Sequence, residues 1–316
     1  MLRTRRYRNI WWAPLPAVLL GAVLVPGAGA GAGLPDCRVL VVSVSGIRPI
    51  EEAVQGLRES LGDSSALFID LKSPSGEAEL VDALRTATPK IIVTAGMEAL
   101  KRVVARPSTA AILATMVLRS DGAGTLAESS ARRRVAALYL DVPSADVALE
   151  LKAQFPDKHR LGAIRNPTRD TDAQWQGRLR QQGFLVEVKE CSRPEELVRT
   201  FLSLKRKVDF VMLSPDSSLY NDATVKPLIL ASLENQLPIV GFSASFVRSG
   251  AAVGVYPEFR DVGVQAADMV RRYLTAPGVL SDETPRKLAV AVNQQVLRLL
   301  GLELHASAGH PVVTVR

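Results

Sequence analysis

A chain of 316 residues can build one large or two medium domains, and 47% apolar with 22% charged residues is ordinary for a soluble globular protein. The formal net charge of +7 does not indicate nucleic-acid binding. Residues 1–32 hold four arginines and no acid, so the remainder carries 35 basic against 32 acidic residues, a net +3.

In chain order, Arg3, Arg5, Arg6 and Arg8 precede the apolar run Ile10 to Val25, and Ala28, Ala30 and Ala32 follow. Basic, apolar and A-x-A segments in that order read as an export signal spanning residues 1–32, which implies a periplasmic location. The apolar run of about 16 residues is short for a bilayer span; an uncleaved anchor is the alternative. Arg5-Arg6 lacks the apolar residues a twin-arginine signal wants next, and Asp36 makes "LPDC" a poor lipoprotein site. The basic run at Arg132 to Arg134 reads as a solvated loop.

Strand and helix patterns then alternate. The strands are Arg38 to Gly46, Ala66 to Leu71, Lys90 to Gly96 and Ala110 to Val117. The first intervening helix places Val54, Leu57 and Leu61 on one face, and the second places Leu80, Ala83, Leu84 and Ala87 inward. A third starts at Gly96. The polar stretch "LRSDGAGTLAESSARRR" reads as a loop, Val135 to Val142 as a strand, and Pro143 as a helix start. A second series follows, with strands at Arg160 to Asn166, Phe184 to Cys191, Val208 to Ser214 and Pro238 to Ser243, and helices at Thr171 to Gln182, Pro194 to Leu204 and Ala223 to Asn235. The amphipathic helix of "EFRDVGVQAADMVRRYL", the strand Arg286 to Asn293 and the helix "QQVLRLLGLEL" complete the pattern. Two alternating series predict an α/β protein with two Rossmann-like lobes, each a parallel sheet covered by helices. The extra helix and strand could cross back to complete the two sheets.

Enzyme and cofactor signatures are missing from the sequence. There is no phosphate-cradling P-loop, no G-x-G-x-x-G, no H-E-x-x-H and no C-x-x-C, so no cofactor or metal is expected. Gly241-Phe242-Ser243-Ala244-Ser245 is G-x-S-x-S, which puts a serine where a nucleophile elbow needs glycine. A triad of Ser243, Asp261 and His305 would rest its base in a Gly/Ala/Ser tail. A serine hydrolase is therefore a minor alternative.

Ligands of parallel α/β sheets meet the carboxyl ends of the strands. Those ends carry small neutral hydrogen-bonding groups: Ser43, Ser45 and Gly96 in the first series, and Asn166, Ser214, Asp216, Ser217 and Ser243 in the second. Taken singly these are turn and cap residues; their recurrence in both series suggests a cleft that holds a small solute.

The segments "IIVTAGMEAL", "AILATMV", "FPDKHRLGAIRNPTRD", "VDFVMLSPDSSLYN", "LPIVGFSASFVRSGAAVGVYPEFRDVGVQAADMVRRYL" and "AVNQQVLRLLGLEL" resemble, in order and spacing, the tryptophan/tyrosine-type substrate-binding proteins of ABC transporters. The resemblance covers residues 36 to 304. It implies a type I periplasmic binding protein fold with three crossovers joining the lobes, hinge closure, and as partners a small-molecule solute, amino-acid-like in the family, and an ABC permease subunit or membrane receptor. Nucleic acid is not a partner. Lobe 1 is expected at residues 33–141 with 258–283, lobe 2 at 142–257 with 284–304, and a tail at 305–316. The resemblance places Gly96, Met97, Asp216, Ser217, Ser243, Ala244 and Tyr256 at the ligand site, with Ser45 added from the strand-end pattern. Asp216 would accept from an ammonium or hydroxyl, and Gly96 would offer backbone N–H groups to an anion. The chain departs from the family on the cleft side, with Ala137-Leu138 in place of a Thr-Gly pair and Leu118-Arg119 in place of an acidic-proline turn. Cys37 and Cys191 are expected to be free. A periplasmic sensor without transport would have the same fold and cleft.

Overall fold

The computed structural model describes residues 38–62, 66–130, 134–169, 174–278, 280–305 and 312–315. The expected export signal and Cys37 lie outside them. Among the described residues, no helix is long and apolar enough to cross a membrane.

The first lobe runs β1 (Val39–Ser43), α1 (Arg48–Leu61), β2 (Ala66–Asp70), α2 (Gly76–Thr86), β3 (Ile91–Ala95), α3 (Met97–Val104), β4 (Ala111–Val117), α4 (Arg119–Ser130) and β5 (Val135–Tyr139). The strands form one parallel sheet in the order β2-β1-β3-β4-β5. Its inner strands are apolar almost throughout because both faces are covered. Leu40 and Val42 point to one face, against Leu80 and Ala83 of α2 and Leu100 and Val103 of α3. Val39 and Val41 point to the other, against Ala53 and Leu57 of α1. The period of two along β1 thus sorts alternate valines and leucines into two cores.

The second lobe contains α5 (Ser144–Gln154), β6 (Arg160–Arg165), α6 (Trp175–Gln181), β7 (Leu185–Glu190), a 3-10 turn (Pro194–Glu196) running into α7 (Leu197–Leu202), β8 (Phe210–Leu213), α8 (Asp222–Glu234), β9 (Ile239–Gly241), α9 (Ala244–Arg248) and β10 (Val253–Pro257). Next come α10 (Phe259–Thr275), β11 (Leu288–Asn293), α11 (Gln294–Leu299) and β12 (Val312–Val315). The second sheet has the order β12-β11-β10-β9-β8-β6-β7 and is parallel except where β10 meets β11. One face packs on α5, α6 and α11, the other on α7 and α8.

The chain passes between the sheets after β5, after β10 and after α10. The second passage sends α10 back to the first lobe, where Val262, Ala266, Met269 and Val270 join the core beside α1. The two helices meet through glycines. A Cβ on Gly263 would stand 2.8 Å from Leu57 N and closer still to the Ala53 carbonyl oxygen, and one on Gly56 would strike the Arg260 carbonyl. The third passage is clipped to the sheet edge: Glu283 N donates to Ala137 O (2.9 Å), Tyr139 N to Glu283 O (3.1 Å) and Ala137 N to Asp282 Oδ1 (2.9 Å). Buried Gln265 on α10 holds the same passage, donating to Thr284 O (3.0 Å) and Glu283 Oε2 (2.9 Å) and accepting from Arg286 N (3.0 Å).

Four expectations from the sequence are corrected. The stretch read as a loop after β4 is the helix α4, which buries only Gly122, Leu126 and Ser129. Burial against the sheet outweighs its poor helix propensity, and so sparse an apolar stripe gave no periodic signal. Helix α1 buries Ala53, Gly56 and Leu57 rather than a Val54-Leu57-Leu61 face, because α10 sits where two small residues let it approach. The tail supplies β12, parallel to β11 at the sheet edge. Ala137 and Leu138, expected on the cleft side, are fully buried in the two cores of the first lobe.

Candidate functional site

A cavity of about 430 Å³ opens between the lobes, where the strand ends of both sheets meet the first and third passages. Its wall in the first lobe is Arg119 and Ser120 at the start of α4. A bulge delivers them there. The β4–β5 register shifts between Thr115 and Val117, and the intervening Met116 has φ 59°, a left-handed backbone uncommon for a side chain of that size. Bulges re-aim a chain at the end of a strand, and this one brings Arg119 to the cavity.

Arg119 is fixed at three points. Its N–H donates to Asp141 Oδ2 (2.7 Å), its guanidinium stacks 4.0 Å over the Tyr139 ring, and Nη1 lies 3.7 Å from Asp282 Oδ2. Asp141 is on the first passage. Burial pushes its carboxyl above the ordinary range, against the pull of the Arg119 amide and of the Arg119 and Arg165 charges.

The second-lobe wall comes from the loops after β6 and β8. Arg165 stacks 4.6 Å over the Trp175 ring and reaches Ser214 Oγ at 3.4 Å. Buried Asn166 ties the two loops together: Nδ2 donates to Asp216 Oδ2 and to Ser218 Oγ, each at 3.2 Å, while Oδ1 accepts from Thr168 N (3.2 Å) and Oγ1 (2.8 Å). Asp216 Oδ1 accepts from Ser218 N (2.8 Å) and Ser218 Oγ (2.5 Å). Arg169 crosses to the first lobe, where it pairs with Asp121 and approaches Ser120 Oγ at 3.3 Å; its Nε stays 3.7 Å from Asp216 Oδ1. Arg178 on α6 also lines the cavity.

Tyr220 closes the floor. Its ring lies 5.6 Å from Phe242 and 6.3 Å from Phe246, within the range of favourable aromatic pairs. The Tyr220 hydroxyl is buried and finds no hydrogen-bond partner among the described residues. Burial first, then the Asp216 charge, pushes its pKa far above the ordinary phenol value.

Of the eight residues nominated from sequence, Asp216 alone lines this cavity, and Ser217 sits exposed beside it. Gly96 starts α3 with φ 93°, but its N–H is already bonded to Thr115 O at 2.8 Å, so that donor is not available to an anion. Met97 packs in the first-lobe core. Ser45 donates its N–H to Asp70 Oδ1 at 2.9 Å. Ser243 caps α9 by accepting from Phe246 N (3.1 Å), and Ala244 is the first residue of that helix. Tyr256 lies on β10 against Val247 and Ala291. The turn after β9 does reach a narrow recess of about 20 Å³ beside the main cavity, through Gly241 and Phe242.

The hydrolase alternative loses its geometry. Ser243 Oγ serves as a helix cap, Asp261 pairs with Lys287 at 2.8 Å, and His305 donates its backbone N–H to Gln154 O. Cys191 is a free, buried thiol that donates to Arg193 O at 3.2 Å. The residues that sequence reading missed are Arg119, Asp141, Arg165, Arg169 and Arg178. Arg165 and Arg169 lie within "IRNPTRD", at a strand end, and that position was the available signal.

No family model and no curated protein sequence matches the chain. Solved structures do. A substrate binding protein with adhesive properties from Clostridium difficile, CD0873, in its ligand-free, open structure, superposes with a TM-score of 0.63 at 17% identity, over 88% of this chain and 99% of that one. A conserved domain protein from Vibrio cholerae O1 biovar El Tor gives 0.57 at 19% identity, over 89% and 100%. The ABC domain in complex with L-Trp from Streptococcus pneumonia gives 0.55 at 15% identity, over 87% and 100%. With its two mostly parallel sheets and three passages between them, the chain has the type I periplasmic binding protein fold found in ABC-transporter substrate-binding proteins.

Proposed function

We propose that this protein is an exported solute-binding protein, which captures a small polar organic ligand between its lobes and presents it to an ABC-type permease. The observation that carries the reading is the interlobe cavity, lined by charged side chains from both lobes and from the connecting passages. Its volume of about 430 Å³ suits a small molecule. The shared fold with a substrate-binding protein and with a domain in complex with L-Trp supports the same reading. In this reading lobe 1 is residues 33–141 with 258–283, and lobe 2 is residues 142–257 with 284–304. Contacts to both walls favour the closed arrangement, and the passages act as hinges.

A thermal-shift screen of the purified protein against amino acids, nucleosides, sugars and organic acids tests this. A ligand present at 100 times its Kd stabilises by about 2.7 kcal/mol, which raises the melting temperature by roughly 5–10 °C. A screen in which no small solute moves the transition would defeat the proposal.

A further inference from the structure

Four guanidinium groups, those of Arg119, Arg165, Arg169 and Arg178, line one cavity. A guanidinium carries five N–H donors and no acceptor, so an arginine that already holds a protein partner keeps donors for a ligand. The acceptors are spent differently. Asp216 takes Ser218 N and Oγ on one oxygen and Asn166 Nδ2 on the other, which commits it to tying two loops together. Asp141 takes the Arg119 amide at 2.7 Å. Charged donors therefore outnumber charged acceptors in the cleft lining, four arginines to two carboxylates. A carbohydrate offers donors and acceptors in like number, and a zwitterionic amino acid needs an acceptor for its ammonium. A carboxylate presents acceptors only, in a plane that matches the guanidinium fork.

Resting on the solute-capture reading above, we propose that the ligand is a small organic acid, held through its carboxylate oxygens by these arginines. One further observation agrees. A carboxylate of the opposite lobe, Asp121, already docks on Arg169 at the cleft, and a ligand carboxylate can take that place by exchanging like for like. Asp216, nominated from sequence as the group that receives an ammonium, becomes a positioning residue for Asn166 and Arg169.

Isothermal titration calorimetry of the purified protein tests the assignment with succinate, L-malate and 2-oxoglutarate as acids. Succinamide, L-tryptophan, D-glucose and inorganic phosphate are the contrasts. The expected result is that at least one acid binds, that succinamide binds about 100-fold more weakly than the acids, and that added salt weakens the acid. Arg169→Gln and Arg178→Gln should each lower acid affinity about 10- to 100-fold, the loss of one charge-assisted pair, with wild-type melting curves. Tighter binding of tryptophan or glucose than of any acid overturns the assignment and leaves solute capture standing. Phosphate binding as tightly as the best acid overturns the preference for carboxylate. Binding of none of the acids overturns the organic-acid assignment, while solute capture stands or falls separately on the broader thermal-shift screen.

Discussion

Replacing Gly263 with alanine tests how the second passage anchors α10 to the first lobe. The new methyl group would lie 2.8 Å from Leu57 N and nearer still to the Ala53 carbonyl oxygen, both backbone atoms of α1. Ordinary contact needs about 3.5 Å and the nearer carbonyl oxygen sets the shift, so the helices must part by more than about an ångström. Overpacking of this kind costs about 1–3 kcal/mol, and meeting backbone rather than a yielding side chain puts the cost at the upper end. Alanine returns about 1 kcal/mol through its better helix propensity, leaving a net loss of about 2 kcal/mol. That lowers the melting temperature by roughly 4–8 °C. The same substitution at Gly124, exposed on α4 with nothing within 4 Å of a new Cβ, gains up to about 1 kcal/mol and should raise the transition by roughly 2–4 °C. Thermal unfolding followed by circular dichroism reads both. If Gly263→Ala melts at or above the wild-type temperature while Gly124→Ala behaves as stated, the close approach of α1 and α10 is not what the packing argument requires.

Three further outcomes follow from particular contacts. Burial alone would raise the Glu283 carboxyl, but hydrogen bonds from Arg272 and Gln265 and the Arg286 charge hold it below the usual carboxylate range. Its contribution is therefore present above the unfolded pKa and lost as pH falls through the folded one, so urea midpoints should drop below about pH 4 and Glu283→Gln should flatten that acid limb. Asp121→Asn removes the pair across the cleft. The pair is partly exposed and worth about 0–1 kcal/mol, so the variant should keep its melting temperature while binding an organic acid up to about fivefold more tightly, and weaker binding in calorimetry would count against the competition between Asp121 and ligand. Ser243→Ala deletes the cap of α9 and should cost about 1 kcal/mol of stability with ligand affinity near wild type; loss of a hydrolytic turnover in that variant would instead revive the serine as a nucleophile.

The sequence by itself determined the layered architecture. Buried parallel strands need near-continuous apolar runs, so "VLVVS", "IIVTA" and "AILATMV" were legible as strands, and the amphipathic pattern of α10 was legible as a helix. It also pointed to strand ends, three of whose residues, Asn166, Ser214 and Asp216, line the cavity. It did not reveal α4, whose few buried residues leave no periodic stripe, or the segment that becomes β12. Above all it could not say which strand ends meet. Arg119, Asp141, Arg165 and Arg178 come from separate elements, and singly each looks like an ordinary surface charge. Their convergence is set by the order of the strands, by the bulge at Met116 and by the passages pinned through Glu283 and Gln265. Hydrophobic periodicity reports what a residue packs against locally, whereas the chemistry of this cleft arises from charges brought together across sequence distance, which no local pattern encodes.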